Sequence, residues 1–215
     1  MSGLEGLRVL VTAGPTREHL DPVRFLSNPS SGRMGYALAE EAAARGARVM
    51  LVSGPTALED PAGVAIERVT SAEEMLAVCR RRFETCDILV AVAAVADFRP
   101  LRRHREKRKK GSMERTLELE PTPDIVATLA AGKGDRFVVG FAAETNDLLA
   151  SAAAKMERKR LDLIVANDVG EPGVGFGSTA NRVVVLAPDG AALELGPAAK
   201  REIAAGIWDE IERRR

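Results

Sequence analysis

An α/β fold, with a doubly wound and mainly parallel sheet covered by helices on both faces, is predicted by three observations on these 215 residues. Apolar runs of strand length alternate with segments of helical period along most of the chain. One run, Asp87 to Ala94, is apolar almost without a break, as a strand buried on both faces must be. The polar and small residues with chemical potential follow strands: Gly14, Ser53-Gly54, Ala96-Asp97, Ala142-Ala143-Glu144 and Asn167-Asp168. In such sheets ligands bind beyond the carboxyl ends of the strands.

The elements follow in order. Arg8 to Thr12 is the first strand. A long loop of small and polar residues leads to a helix over Met34 to Arg45, stopped at Gly46. Ala47 to Ser53 and Val64 to Val69 are strands. Ser71 is the expected N-cap of a helix reaching about Glu84, with Glu74 at the capping-box position. After the Asp87 to Ala94 strand comes an irregular basic stretch, Arg99 to Gly111, then a strand over Thr116 to Glu120. Pro123-Asp124 opens a helix to about Ala131. Phe137 to Phe141 is a strand, Asn146 to Arg160 a helix, Leu161 to Ala166 a strand and Asp168 to Ala180 a glycine-rich loop. Arg182 to Ala187 and Ala192 to Leu195 flank Pro188-Asp189-Gly190 as a β-hairpin, and Pro197 to Arg215 is a closing helix. The sum is a Rossmann-like sheet with a C-terminal hairpin and a basic flap over about 99–113, in a single domain over 1–215.

Composition removes several function classes. Lys plus Arg and Asp plus Glu both number 31, so net charge draws no anionic partner. Aromatics make up 4%, which leaves few stacking platforms for nucleic acid. No apolar run reaches about 18 residues, so no membrane span is expected. Met1 to Gly6 lacks a signal region, and the cytoplasm is the expected location. Two cysteines, Cys79 and Cys86, do not make a disulfide scaffold, and no chemistry is assigned to them. His19 and His104 have no partners at metal spacing.

The familiar nucleotide signatures are missing. There is no G-x-G-x-x-G run, and the second strand ends in Ser53-Gly54-Pro55 without an acid for an adenosine ribose. The only tyrosine, Tyr36, has Glu40 four residues on, where a short-chain reductase needs Lys. No P-loop exists. What stands after the first strand is Thr12-Ala13-Gly14-Pro15-Thr16-Arg17-Glu18, Asp21-Pro22-Val23-Arg24, then Ser27-Asn28-Pro29-Ser30-Ser31-Gly32-Arg33-Met34-Gly35. Strand, small-residue loop and helix start form an arrangement that binds phosphate through backbone N–H groups.

Each candidate has a plain reading beside the chemical one. Asn28 is a turn residue or an amide that holds an oxyanion or acyl carbonyl. Arg33 is a surface residue or a phosphate ligand. Asp97, after four small residues, accepts from ribose hydroxyls or helps place a metal, while the same alanines suit close helix packing. The run Arg102 to Lys110 is a solvated loop, a nucleic-acid tail or a flap that closes over a triphosphate. Lys155 and Lys159 share a helix face that reads as solvated.

Taken together these segments resemble phosphopantothenoylcysteine synthetase, the ligase half of bacterial bifunctional coenzyme A biosynthesis proteins. The resemblance runs from about Leu7 to Asp209. It rests on the segments above with Ala93-Ala94-Val95-Ala96-Asp97-Phe98, Glu106-Lys107-Arg108-Lys109-Lys110, Pro123-Asp124-Ile125-Val126, Val139-Gly140-Phe141-Ala142-Ala143-Glu144-Thr145 and Ala166-Asn167-Asp168. It implies a ligase that joins 4′-phosphopantothenate to L-cysteine through an acyl-cytidylate, with CTP as co-substrate and Mg²⁺ carried mainly by the triphosphate. It implies Asn28 and Lys107 as catalytic residues, Lys107 lying in the family's K-x-K-K position. The cytidine nucleotide would be held by Ala91, Val92, Ala93, Asp97, Lys107, Pro123, Asp124, Ile125, Val126, Phe141, Lys155 and Lys159. The phosphopantothenate would be held by Asn28, Ser30, Ser31, Gly32, Arg33 and Asn167. Arg33 stands where many relatives have Lys, Arg108 replaces an apolar residue and His19 stands where Pro is common. A homodimer is implied, and a flavin decarboxylase as a fused or separate partner, with no flavin in this chain. An ATP-using variant of the same ligation, and a nucleic-acid module built on the basic run, are the alternatives.

Overall fold

The computed structural model describes residues 3–109, 116–144, 147–168 and 180–215. Its centre is one sheet of eight strands. In chain order these are β1 (Arg8–Ala13), β4 (Arg48–Ser53), β5 (Ala65–Arg68), β6 (Ile88–Ala91), β9 (Phe137–Glu144), β10 (Leu163–Asp168), β11 (Ala180–Leu186) and β12 (Ala192–Ala199). Between β1 and β4 stand the ribbon strands β2 (Arg17–His19) and β3 (Phe25–Ser27), and between β6 and β9 the pair β7 (Phe98–Pro100) and β8 (Leu119–Pro121). The helices are α1 (Arg33–Ala44), α2 (Ala72–Phe83), α3 (Ile125–Ala130), α4 (Leu148–Lys159) and α5 (Lys200–Arg214).

The sheet order is β12-β11-β10-β9-β6-β1-β4-β5. The six strands from β5 to β10 are parallel, and β11 and β12 add antiparallel pairs at one edge. In chain order the six read 3-2-1-4-5-6, the doubly wound order whose direction reverses between β1 and β6. One face is covered by α1 and α5 around Leu38, Leu51, Ile207 and Trp208. The other is covered by α2, α3 and α4 around Met75, Leu89, Leu129 and Met156. The mainly parallel sheet, its two helical layers and the terminal hairpin follow the expectation.

Element ends differ from the sequence reading for local reasons. The strand expected to reach Ala94 stops at Ala91, because the Thr12 hydroxyl accepts from both Val92 N and Ala93 N at 3.1 Å and turns the chain out of the ladder. Ser71 caps α2 through Glu74 N, as expected, but the Glu74 carboxylate accepts from Thr70 N at 2.7 Å instead of from Ser71. The closing helix starts at Lys200, not Pro197, because the β12 edge strand runs on to Ala199 through a cis Gly196–Pro197 bond.

The β2–β3 ribbon and β7 stand where loop was read, and the strand expected over Thr116 to Glu120 is β8, Leu119–Pro121, paired with β7. Three-residue strands carry too little alternation to register as a period. Residues 169–179 of the glycine-rich loop and 110–115 of the flap lie outside the described residues. No helix among the described residues is long and apolar enough to cross a membrane.

Candidate functional site

The reversal point between β1 and β6 is where the sheet leaves a crevice at its carboxyl edge, and three glycines shape it. Gly14 turns the chain after β1 at φ 75°, and Gly32 starts α1 at φ 78°. A Cβ on Gly32 would sit 3.4 Å from Gly14 Cα, so the two are neighbours in space. A Cβ on Gly35 would stand 2.6 Å from Ala13 Cβ, so this glycine lets α1 lie close on β1. These are the roles of the three glycines in a dinucleotide fingerprint, tight turn, backbone access and close helix packing. Here residues 15–31 are inserted between the first two, and a linear motif search cannot see them.

The insertion is stitched to the loop after β6. The Thr16 hydroxyl is fully buried and accepts from Ala96 N at 3.0 Å. Ser27 Oγ donates to Thr16 O at 2.7 Å. Asn28 Nδ2 donates to Ala94 O at 3.3 Å and Val95 O at 3.1 Å. Ser30 Oγ accepts from Gly32 N, and α1 begins with no side-chain cap and no acid in its first turn. Its positive end is therefore directed at the crevice with no acid from its own first turn beside it.

The crevice is a cavity of about 470 Å³. Asn28, Ser30, Ser31, Gly32 and Arg33 form one wall, and Ala91, Val92, Ala93 and Asp97 lie at the ends of the central strands. Pro123, Asp124, Ile125 and Val126, Phe141, Lys155, Lys159 and Asn167, also expected from the resemblance, line it as well. One expected residue is not brought in: Lys107 is exposed on the basic segment and does not line the cavity. That segment is held at two points, where His104 N donates to Leu20 O at 2.8 Å and Arg108 N donates to Asp21 Oδ2 at 3.2 Å. Both Nη1 and Nη2 of Arg24 donate to Arg108 O, so the Asp21-to-Arg24 segment clamps the basic run by its backbone.

The solvated reading of Lys155 and Lys159 does not hold. Both face the cavity, and Lys159 Nζ pairs with Asp124 Oδ2 at 2.9 Å. Asp124 also caps α3 by accepting from Ala127 N at 3.0 Å. Burial alone would push its carboxyl up, but the Ala127 N–H and the Lys159 ammonium outweigh it and hold it below the ordinary range. Asn167 Oδ1 is buried with no hydrogen-bond partner among the described residues, an acceptor ready for a ligand donor. Asn181, Met34, Thr122 and Lys200 also line the cavity. Met34 lies inside the run singled out in the sequence but was not assigned a contact, whereas nothing local marks Asn181, Thr122 or Lys200, and the fold alone delivers them. Among the described residues no group of three or more His, Cys, Asp or Glu could hold a metal ion. Cys79 and Cys86 are buried outside the cavity, and burial pushes their thiols up to about 12 and about 11.

Comparison with known proteins gives this architecture relatives. The chain is 47% identical over 211 residues to the coenzyme A biosynthesis bifunctional protein CoaBC of Bacillus subtilis, covering 97% of this chain and 52% of that protein. It is 47% identical over 194 residues to the protein of the same name in Escherichia coli K12, covering 88% of this chain and 48% of that protein. A relative named cysteine/cysteine sulfinic acid decarboxylase, from an unknown prokaryotic organism, is 46% identical over 97% of this chain and 58% of its own length. The chain thus spans about half the length of the curated relatives it matches. A crystal structure of a CoaBC C-terminal domain matches with a TM-score of 0.84 at 41% identity, covering 99% of this chain and 97% of that one. The family model described as the DNA/pantothenate metabolism flavoprotein C-terminal domain matches residues 4–214, so the chain belongs to that family.

Proposed function

We propose that this chain is a ligase of coenzyme A biosynthesis that joins 4′-phosphopantothenate to L-cysteine, with CTP as the activating nucleotide. The observation that carries the reading is the cavity itself. A neutral cradle of backbone N–H groups, Asn and Ser lies between lysines on one side and Arg33 on the other, at the point where a doubly wound sheet binds nucleotides. In the first half-reaction a substrate carboxylate oxygen attacks the α-phosphorus, the bond to the bridging oxygen breaks and pyrophosphate leaves. Negative charge is redistributed over phosphate oxygens, and Lys155, Lys159 and the α1 N-terminus are the groups placed to meet it. In the second, the cysteine amine attacks the acyl carbon, CMP leaves and the amine gives up a proton. Asn28 is the neutral amide assigned to this centre, with its loop-holding bonds fixing its position.

The base would be read by backbone at Ala91 to Ala93, by the Pro123 to Val126 turn and by Phe141. Mg²⁺ supplies charge neutralisation of the phosphates. The residues fit an ion carried by the triphosphate: the cavity offers Asp97 and Asp124, and Asp124 is already paired with Lys159. Lys107 is assigned to the triphosphate from the clamped basic segment. The Lys107→Gln variant is expected to keep the fold and lose at least about tenfold in acyl-cytidylate formation, since a charge-assisted phosphate contact is worth about 1.5–3 kcal/mol. A homodimer in the cytoplasm belongs to the same reading. Exposed Val23 and Phe25 on one ribbon and Phe98 and Leu119 on the other, where β2 packs on β7, are apolar surface suited to a second copy.

The test omits cysteine. Protein, 4′-phosphopantothenate and Mg²⁺ are mixed with CTP or ATP and examined by mass spectrometry. An acyl-cytidylate that disappears on adding cysteine supports the proposal. An acyl-adenylate keeps the ligase and overturns the base. No adduct with either, in folded protein, overturns the substrate assignment.

A further inference from the structure

The ladder between β6 and β9 ends at Ala91 opposite Gly140, while β9 runs on to Glu144 beside β10. Past that point the two strands separate, and Val92, Ala93, Phe141, Ala142 and Ala143 line the cavity. Thr12 lies on the other side of β6, near the end of β1. It is 3% exposed and does not line the cavity. Its hydroxyl oxygen spends both lone pairs on the turn, accepting from Val92 N and from Ala93 N at 3.1 Å. A trans peptide carries its N–H opposite the carbonyl of the residue before it. With Ala93 N–H turned to Thr12, Val92 O points away from β1 and toward the end of β9.

The rest of the loop is held by other groups. Ala94 N donates to Gly14 O at 2.9 Å, and Ala96 N donates to the Thr16 hydroxyl at 3.0 Å. Ala96 O accepts from the Thr122 hydroxyl at 2.5 Å. Among the described residues no group donates to Val92 O or Ala93 O. The end of β6 therefore meets the cavity with two donors taken and its carbonyl acceptors open.

We propose that Thr12 is a positioning residue for base selection. By holding Val92 and Ala93 it presents a carbonyl acceptor to the nucleotide base, and so favours a base with an exocyclic amine. The inference rests on the reading of this wall as the base site of CTP. Cytosine carries an amine at C4 where uracil carries an oxygen. The amine donates to Val92 O. The uracil oxygen sets two acceptors against each other with neither paired, a mismatch that a site built to hydrogen-bond rejects strongly. Thr12 acts through the loop alone.

The test compares wild type, Thr12→Val and Thr12→Ser, with thermal melting to confirm folding. Val keeps the shape and removes the oxygen, whereas Ser keeps the oxygen and drops the methyl group. Steady-state ligation is measured with CTP and with UTP. Wild type is expected to favour CTP in kcat/KM by at least about a hundredfold. In Thr12→Val that ratio is expected to fall about tenfold or more through a raised KM for CTP, with KM for 4′-phosphopantothenate nearly unmoved. Thr12→Ser is expected to restore most of it. A merely structural role lowers Tm and weakens both nucleotides alike, and an unchanged ratio in Thr12→Val overturns the inference while leaving the ligase reading intact. Where ATP is the activating nucleotide, ATP and ITP replace the pair, since inosine also carries an oxygen in place of the amine. Melting with the same two nucleotides separates the other failure. If wild type ligates nothing, yet the amino nucleotide stabilises it more than the keto one and Thr12→Val removes that difference, the role of Thr12 stands and the substrate assignment falls. If the two nucleotides stabilise wild type alike, the inference falls.

Discussion

Asn28 Nδ2 donates to the backbone carbonyls of Ala94 and Val95, and so ties the loop after β1 to the loop after β6. Replacing it with Asp removes that donor and turns a carboxylate toward two carbonyl oxygens. The Asn28→Asp variant is expected to lose about 1–3 kcal/mol of stability and most of its turnover in both half-reactions. Melting and half-reaction rates check this, and unaltered kinetics would reduce Asn28 to a turn residue. Cys79 and Cys86 give a second expectation at this scale. With thiols pushed up to about 12 and about 11, they stay protonated at neutral pH, so alkylation by iodoacetamide is expected to be slow in native protein and fast in urea. Residue identities near the loops, Asn28 and the serines among them, are legible in the sequence because they sit in one run. Lys200 and Asn181 are not, since no neighbour within a few residues shares their task.

Among the elements, α1 is the one whose placement the site depends on. Gly35 allows it to lie against β1, and a methyl there would stand 2.6 Å from Ala13 Cβ and 3.1 Å from Thr12 O. Gly35→Ala is therefore expected to lift the helix start and destabilise by about 1–3 kcal/mol, read as a lower Tm and weaker nucleotide binding. A Tm equal to wild type would mean the crevice edge yields without strain. On the other side of α1, Trp208 is fully buried and donates to Leu38 O. Trp208→Ala is expected to cost about 3–5 kcal/mol in a urea titration, since it leaves both a cavity and a lost donor. The long elements were legible through their period and caps, such as Ser71 on α2. The β2–β3 ribbon, β7 and the extension of β12 from Leu195 to Ala199 were not, because cross-strand partners define them more than their own residues do.

At the scale of the whole molecule, acid sensitivity follows from carboxylates held low in the fold. Asp21 is held low first by Val23 N–H, Asp87 by the Arg8 guanidinium and Glu210 by Arg213. In Asp124 the Ala127 and Lys159 contacts outweigh burial. Because the folded values lie below the ordinary ones of 3.8 for Asp and 4.5 for Glu, these groups stabilise the fold fully above those values. That contribution is lost as pH falls through the folded values. The urea midpoint is expected to be level on the neutral side of the ordinary carboxylate range and to drop steadily below it. A midpoint that does not move in acid would show that the pairs contribute nothing.

The sequence by itself determined the alternation of strands and helices, the small-residue cradle from Gly14 to Gly35 and the family resemblance. Each is written in residues a few positions apart, where period, turn chemistry and caps act. Only the tertiary structure decided that Gly14 meets Gly32 across an insertion, that Lys155 and Lys159 face a cavity and that Lys200 lines the same cavity as Arg33. These depend on the strand order and on the packing of α1 against α5, which burial across the whole sheet selects and no local run of residues encodes.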